Sequence, residues 1–143
     1  MKSLFQYWLS VLIWAMIIFT ASANLDLYKV LLGRWNEPCF SAEIQSFAEM
    51  LGRFINTTEY AVLAALIARE MIRQGDIHHS NLVIVLEMSE LFVLSDKIHQ
   101  LYVPGRTFQL MDLVLDLFGV VIGLILYAMI RKNRSIHNPN ICR

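Results

Sequence analysis

Four stretches of the chain are apolar at the length and period of helices. Leu4–Ala23 is the cleanest, since residues 3–25 contain no Asp, Glu, Lys or Arg. Its length suits a bilayer-crossing helix of about 20 residues. The second stretch lies near Phe54–Arg69, around the uninterrupted run from Tyr60 to Ala68. The third, near Ser80–Ile98, is interrupted by Glu87 and Glu90. The fourth, Leu110–Ile130, is apolar except for Asp112 and Asp116. A carboxylate at the centre of a membrane helix costs about 2.5–3.5 kcal/mol. Stretches two and three therefore span a bilayer only if their polar groups face a bundle interior. Glu87 and Glu90 are expected to line a wet interior or to mark a segment that sits shallowly; the alternatives are pairing with a basic residue of another segment, or carrying protons.

Before the second stretch, Ser41 can cap a helix, with Glu43 in its first turn. Ile44, Phe47, Leu51, Phe54 and Ile55 recur at helical spacing, with Glu43, Gln45, Glu49 and Arg53 off that stripe. This pattern predicts a short interfacial amphipathic helix running into the second span. The connections are short. Gly75-Asp76 turns the chain between stretches two and three, followed by the solvated doublet His78-His79. Pro104-Gly105 turns it between three and four. The first stretch ends in Ala21-Ser22-Ala23, which also reads as a small-residue cleavage site. A retained first helix is expected, because the stretch is longer than the usual signal core of about 7–15 residues.

Composition agrees with the pattern. Of 143 residues, 57% are apolar and 17% charged, against about 45–50% and about 25% in average soluble domains. Twelve basic residues balance twelve acidic ones, which disfavours a nucleic-acid binder. Cys39 and Cys142 form no metal-binding spacing and are read as unrelated thiols. The bias of Lys and Arg sets the orientation. With both termini cytoplasmic, Lys2, Arg69, Arg73, Arg131, Lys132, Arg134 and Arg143 lie inside, seven against the five of Lys29, Arg34, Arg53, Lys97 and Arg106. The Pro104-Gly105 turn is then extracytoplasmic. Residues 1–131 are expected to form one transmembrane domain and residues 132–143 a basic cytoplasmic tail. The expected fold is all-α, four transmembrane helices in a small polytopic bundle plus the amphipathic helix.

The polar positions are not scattered. Asp96 and His99 are three apart, Asp96 and Gln100 four apart, so they share a helix face. Asp112, Asp116, Gly119 and Gly123 share another. Their two glycines give the small-xxx-small spacing that lets a second helix approach closely. Arg53, Asn56 and Tyr60 form a stripe on the second helix, with Glu59 beside it. The run Asp96-Lys97-Ile98-His99-Gln100, then Pro104-Gly105-Arg106, then Asp112, Asp116, Gly119 and Gly123 resembles the signature of the VanZ-like family of small bacterial membrane proteins. The spacing of the four stretches is similar too. Lys97 stands where that family usually has Glu. Arg53 and Asn56 stand where it usually has a Lys-x-x-His pair, while Glu59-Tyr60 fits. The resemblance implies a polytopic protein of the cell envelope, from a family whose namesake is associated with resistance to the glycopeptide teicoplanin. It supplies no reaction.

The candidate cluster is thus Asp96, His99, Gln100, Arg106, Asp112, Asp116, Glu59 and Tyr60. Asp96 and Arg106 read as an ion pair closing the turn, or Arg106 as the contact to a phosphate or carboxylate of an envelope component. His99 reads as a satisfied helix-end histidine or as a general acid–base. No cofactor is implied, and no ligand spacing marks a metal site. Nucleophile and nucleotide motifs are absent from the sequence. A membrane-embedded enzyme acting on lipid-linked cell-wall precursors or lipid headgroups, and a small proton- or ion-coupled transporter, remain the alternatives to a binding protein.

Overall fold

The computed structural model describes residues 4–23, 42–72, 78–102 and 109–137. Among them are four helices and no strand: α1 (Leu4–Ala23), α2 (Ala42–Met71), α3 (His79–Leu101) and α4 (Leu110–His137). One helix is long and apolar enough to cross a membrane by length and composition, at Leu110–Asn133 with mean hydropathy 2.6, and Trp8–Ser22 is a shorter apolar helix.

The amphipathic stretch is not a separate element. It forms the N-terminal part of α2, which runs unbroken for 30 residues. Gly52 lies within it and costs a helix about 1 kcal/mol relative to Ala, too little to end one whose flanks are strong helix formers. At 1.5 Å per residue α2 is about 45 Å long, more than the roughly 30 Å apolar thickness of a bilayer. Its apolar residues Phe47, Met50, Leu51, Phe54 and Ile55 are exposed, while Gly52 is buried and Arg53 reaches α4.

The contacts fix the topology. Trp14 Nε1 donates to the Glu59 carbonyl, and Arg69 to Ser10, so α1 and α2 run antiparallel. Tyr60 meets Asp96 and only five residues join Ile72 to His78, so α2 and α3 run antiparallel, and α1 and α3 parallel. Arg53 pairs with Asp112 at one end and Arg131 donates to the Ile72 carbonyl at the other, so α2 and α4 also run parallel. The chain goes up, down, up and down. α2 packs against each of the other helices, and α1 against α2 and α3.

The core follows helical spacing. On α2 the buried side chains include Tyr60, Leu63, Ala64, Ile67 and Ala68, with Ile72 just past its end; on α3 they are Val85, Ser89, Val93, Asp96 and Lys97. The α2–α4 contact is the closest. A Cβ at Gly119 would overlap the Thr57 carbonyl, and one at Gly123 the Ala61 carbonyl. Thr57 to Ala61 and Gly119 to Gly123 are both four-residue steps, so two parallel helices interlock in register.

Candidate functional site

Up-and-down topology decides where the polar residues meet. The C-terminal ends of α1 and α3, the N-terminal end of α4 and the polar stretch of α2 all lie at the same end of the bundle. Ser22, Tyr60, Asp96, Lys97, Gln100 and Asp116 are brought together there.

Asp96 is the hub, and it is 1% exposed. One of its oxygens, Oδ2, accepts from Tyr60 Oη at 2.6 Å, Gln100 Nε2 at 2.6 Å and Ser22 Oγ at 3.1 Å. Gln100 Nε2 also donates to Ser22 Oγ at 2.7 Å. The bond from Gln100 is the one-turn contact its spacing requires; the others come from α1 and α2. The second oxygen, Oδ1, is buried with no hydrogen-bond partner. No basic side chain among the described residues pairs with Asp96. Its charge is held by three neutral donors on one side only.

The two carboxylates of α4 each have a base. Lys97 Nζ lies 2.5 Å from Asp116 Oδ2, both side chains at 5% exposure or less. Arg53 Nε lies 3.2 Å from Asp112 Oδ1, with the side chains 40% and 29% exposed. Arg53 also donates to Gln109 Oε1 at 2.9 Å. The Arg53 pair closes the α2–α4 contact at the mouth of the bundle, and the Lys97 pair joins α3 to α4 deeper inside.

The remaining candidates divide. His99 stacks on Phe19, ring centroids 4.1 Å apart, so its ring is held against α1. Glu59 gives its carbonyl to Trp14, and its side chain is half-buried. Arg106 lies outside the described residues, as do Pro104, Gly105, Cys39 and Cys142, so the expected pairing with Asp96 and the thiols fall there too. His78 and His79 are exposed. No group of three or more His, Cys, Asp or Glu among the described residues is arranged to hold a metal ion.

Two participants were missed by sequence reasoning. Ser22 was read only as part of a cleavage-like tripeptide, yet its hydroxyl touches both Asp96 and Gln100. Lys97 stands in the sequence as a departure from a motif and as one of the outer bases, yet it pairs with Asp116. The signal for Lys97 was present: a lysine one residue after an aspartate, opposite a helix with two aspartates. A different feature joins the helices at the opposite end. There Arg69 pairs with Glu70 at 2.6 Å and reaches Ser10, while Arg131 meets the last carbonyl of α2 and Tyr127 Oη. Arginine at a helix C-terminus satisfies a carbonyl that has no intrahelical donor.

No curated protein and no solved structure matches this chain. A family model does: that of VanZ/LLP1, over residues 5–131, which takes in all four helices except the ends of α1 and α4. On that match the chain belongs to the VanZ/LLP1 family.

Proposed function

We propose that this chain is a polytopic membrane protein of the bacterial cell envelope. All four helices cross the bilayer, both termini are cytoplasmic, and the polar end of the bundle faces outward. There it recognises a phosphate- or carboxylate-bearing envelope component, and through that site it modulates susceptibility to glycopeptides such as teicoplanin. The observation that carries the reading is the convergence of polar side chains from four helices on one end of an otherwise apolar bundle. Buried polar groups in a bilayer are costly, and a cluster of them is retained where it serves a site. The excess of Lys and Arg at the other end supports the orientation. Arg53, half-exposed between Asp112 and Gln109, is the described guanidinium within reach of an anion at the mouth.

One observation favours a second reading, a small proton- or ion-coupled transporter. Asp96 is buried, with an unpartnered Oδ1 and, among the described residues, no cation of its own. The two readings separate by mutation in the native host, with membrane abundance and teicoplanin sensitivity read in the same strains. The binding reading expects Arg53→Gln and Arg106→Gln to lose the phenotype at normal abundance. The transport reading expects Asp96→Asn to abolish a proton- or ion-dependent flux while Arg106→Lys is tolerated. Unchanged sensitivity on deleting the whole gene would remove the glycopeptide role.

A further inference from the structure

At the polar end Asp96, Asp112 and Asp116 each have a partner, and so does Glu70 at the other. Glu87 and Glu90 differ: neither has an ion pair or a hydrogen bond among the described residues. They are also at an unusual height. α3 has 23 residues and Glu90 is the central one. At 1.5 Å per residue Glu87 lies within about 5 Å of the helix middle.

Their direction is as informative as their height. The buried face of α3 is Val85, Ser89 and Val93. Glu87 is two residues from both Val85 and Ser89, which at about 100° per residue points it to the opposite side. It is exposed, and Glu90 is half-buried on the flank. The face around them is otherwise apolar and uncovered: Ile84, Leu91, Leu94 and Ile98 are all exposed, Leu91 at 67%. The sequence-based expectation that these acids line a wet interior is therefore not met by Glu87. A carboxylate on the outside of a span, at its centre, is the arrangement membrane helices avoid unless a neighbour supplies a counter-charge.

We propose that this face of α3 docks a transmembrane helix of another protein that carries a lysine or arginine at mid-bilayer depth. The inference rests on the reading that α3 spans the membrane. Charge complementarity selects the occupant. Among the described residues, a second copy of this chain has no free base to offer at that height. Arg53, Arg69 and Lys97 are paired with acids, and Arg131 is engaged with Ile72 and Tyr127. Lys132 and Arg134 lie near the C-terminal end of α4. Two copies meeting on α3 would set acid against acid. Lipid alone would leave both carboxylates without a partner. A basic helix satisfies them and covers the apolar residues on either side.

The test is a photoreactive amino acid in place of Leu91, in the full chain in native membranes. The expected result is one adduct, with a membrane protein whose spanning helix holds Lys or Arg near its middle. Its yield should fall about tenfold or more in the Glu87→Gln/Glu90→Gln variant, since removing one side of a desolvated charge pair weakens association by at least that factor. Changing the partner's base to Glu should abolish the adduct, and pairing it with Glu87→Lys should restore it. An adduct between two copies of the chain overturns the proposal, as does an adduct indifferent to Glu87→Gln/Glu90→Gln, or none at normal membrane abundance. Met88→Cys, in a chain with Cys39 and Cys142 replaced by Ser, separates this failure from that of the membrane reading. Full reaction with a charged, water-soluble thiol reagent refutes the spanning of α3 and the docking with it. Protection combined with the absence of an adduct refutes the docking alone.

Discussion

The Lys97–Asp116 pair makes the sharpest quantitative test of the bundle. Both side chains are at least nine-tenths buried and their charged atoms are 2.5 Å apart, so water does not screen them. Removing one partner of such a pair leaves a buried, uncompensated charge and costs about 3–5 kcal/mol. Lys97→Met should therefore lower the folded-to-unfolded ratio by roughly two to three and a half orders of magnitude, at about 1.4 kcal/mol per factor of ten. Asp116→Leu should do the same, because it strands Lys97. The double variant Lys97→Met/Asp116→Leu strands neither. Replacing a whole buried pair by apolar residues is often neutral or stabilising by about 1–4 kcal/mol, so the double variant should regain all or most of the loss. Reversible unfolding of the purified protein in mixed micelles, titrated with a denaturing detergent and followed by tryptophan fluorescence, measures all four corners of the cycle. A double variant as unstable as the sum of the single ones would falsify the pairing and leave Asp116 as an aspartate that tolerates isolation. Equal stability of all four would mean that α3 and α4 do not meet at these residues.

Three further outcomes follow from other contacts. Gly123→Leu should destabilise the fold by at least about 1–3 kcal/mol, the usual cost of overpacking, because its side chain would enter the Ala61 carbonyl; the same change at Met129, 58% exposed on α4, should be mild in the same unfolding assay. Tyr60→Phe removes a 2.6 Å bond to a buried carboxylate and should cost about 1.5–3 kcal/mol, the range for hydrogen bonds to charged groups, whereas Thr58→Ala, whose exposed hydroxyl bonds only to the Phe54 carbonyl, should be nearly silent. Arg53→Gln should change stability by less than about 1 kcal/mol, as expected of a half-exposed pair, with any loss shrinking as salt is raised; a large, salt-independent loss would show that Arg53 is held more deeply than its exposure implies.

The period and composition of the chain settled much of this protein on their own. The four helices and the close-packing glycines of α4 were legible, because each depends on spacing within one segment. So was the contact between Asp96 and Gln100, one turn apart on one helix. Partners across helices were not. The three donors on Asp96 come from three different helices, and only the packed bundle selects Tyr60 and Ser22 from the other polar residues near those helix ends. The same holds for Lys97, which a motif comparison marks as a mismatch and the packing turns into the counter-charge of Asp116. The outward direction of Glu87 was beyond the sequence for a related reason. Period tells which residues share a face, and α3 has apolar residues on every side. Which face turns inward was decided by what the neighbouring helices offered: the small and polar surface along Val85, Ser89, Val93 and Asp96 fits α2 and α4, and the bulkier face with Glu87 is left outside.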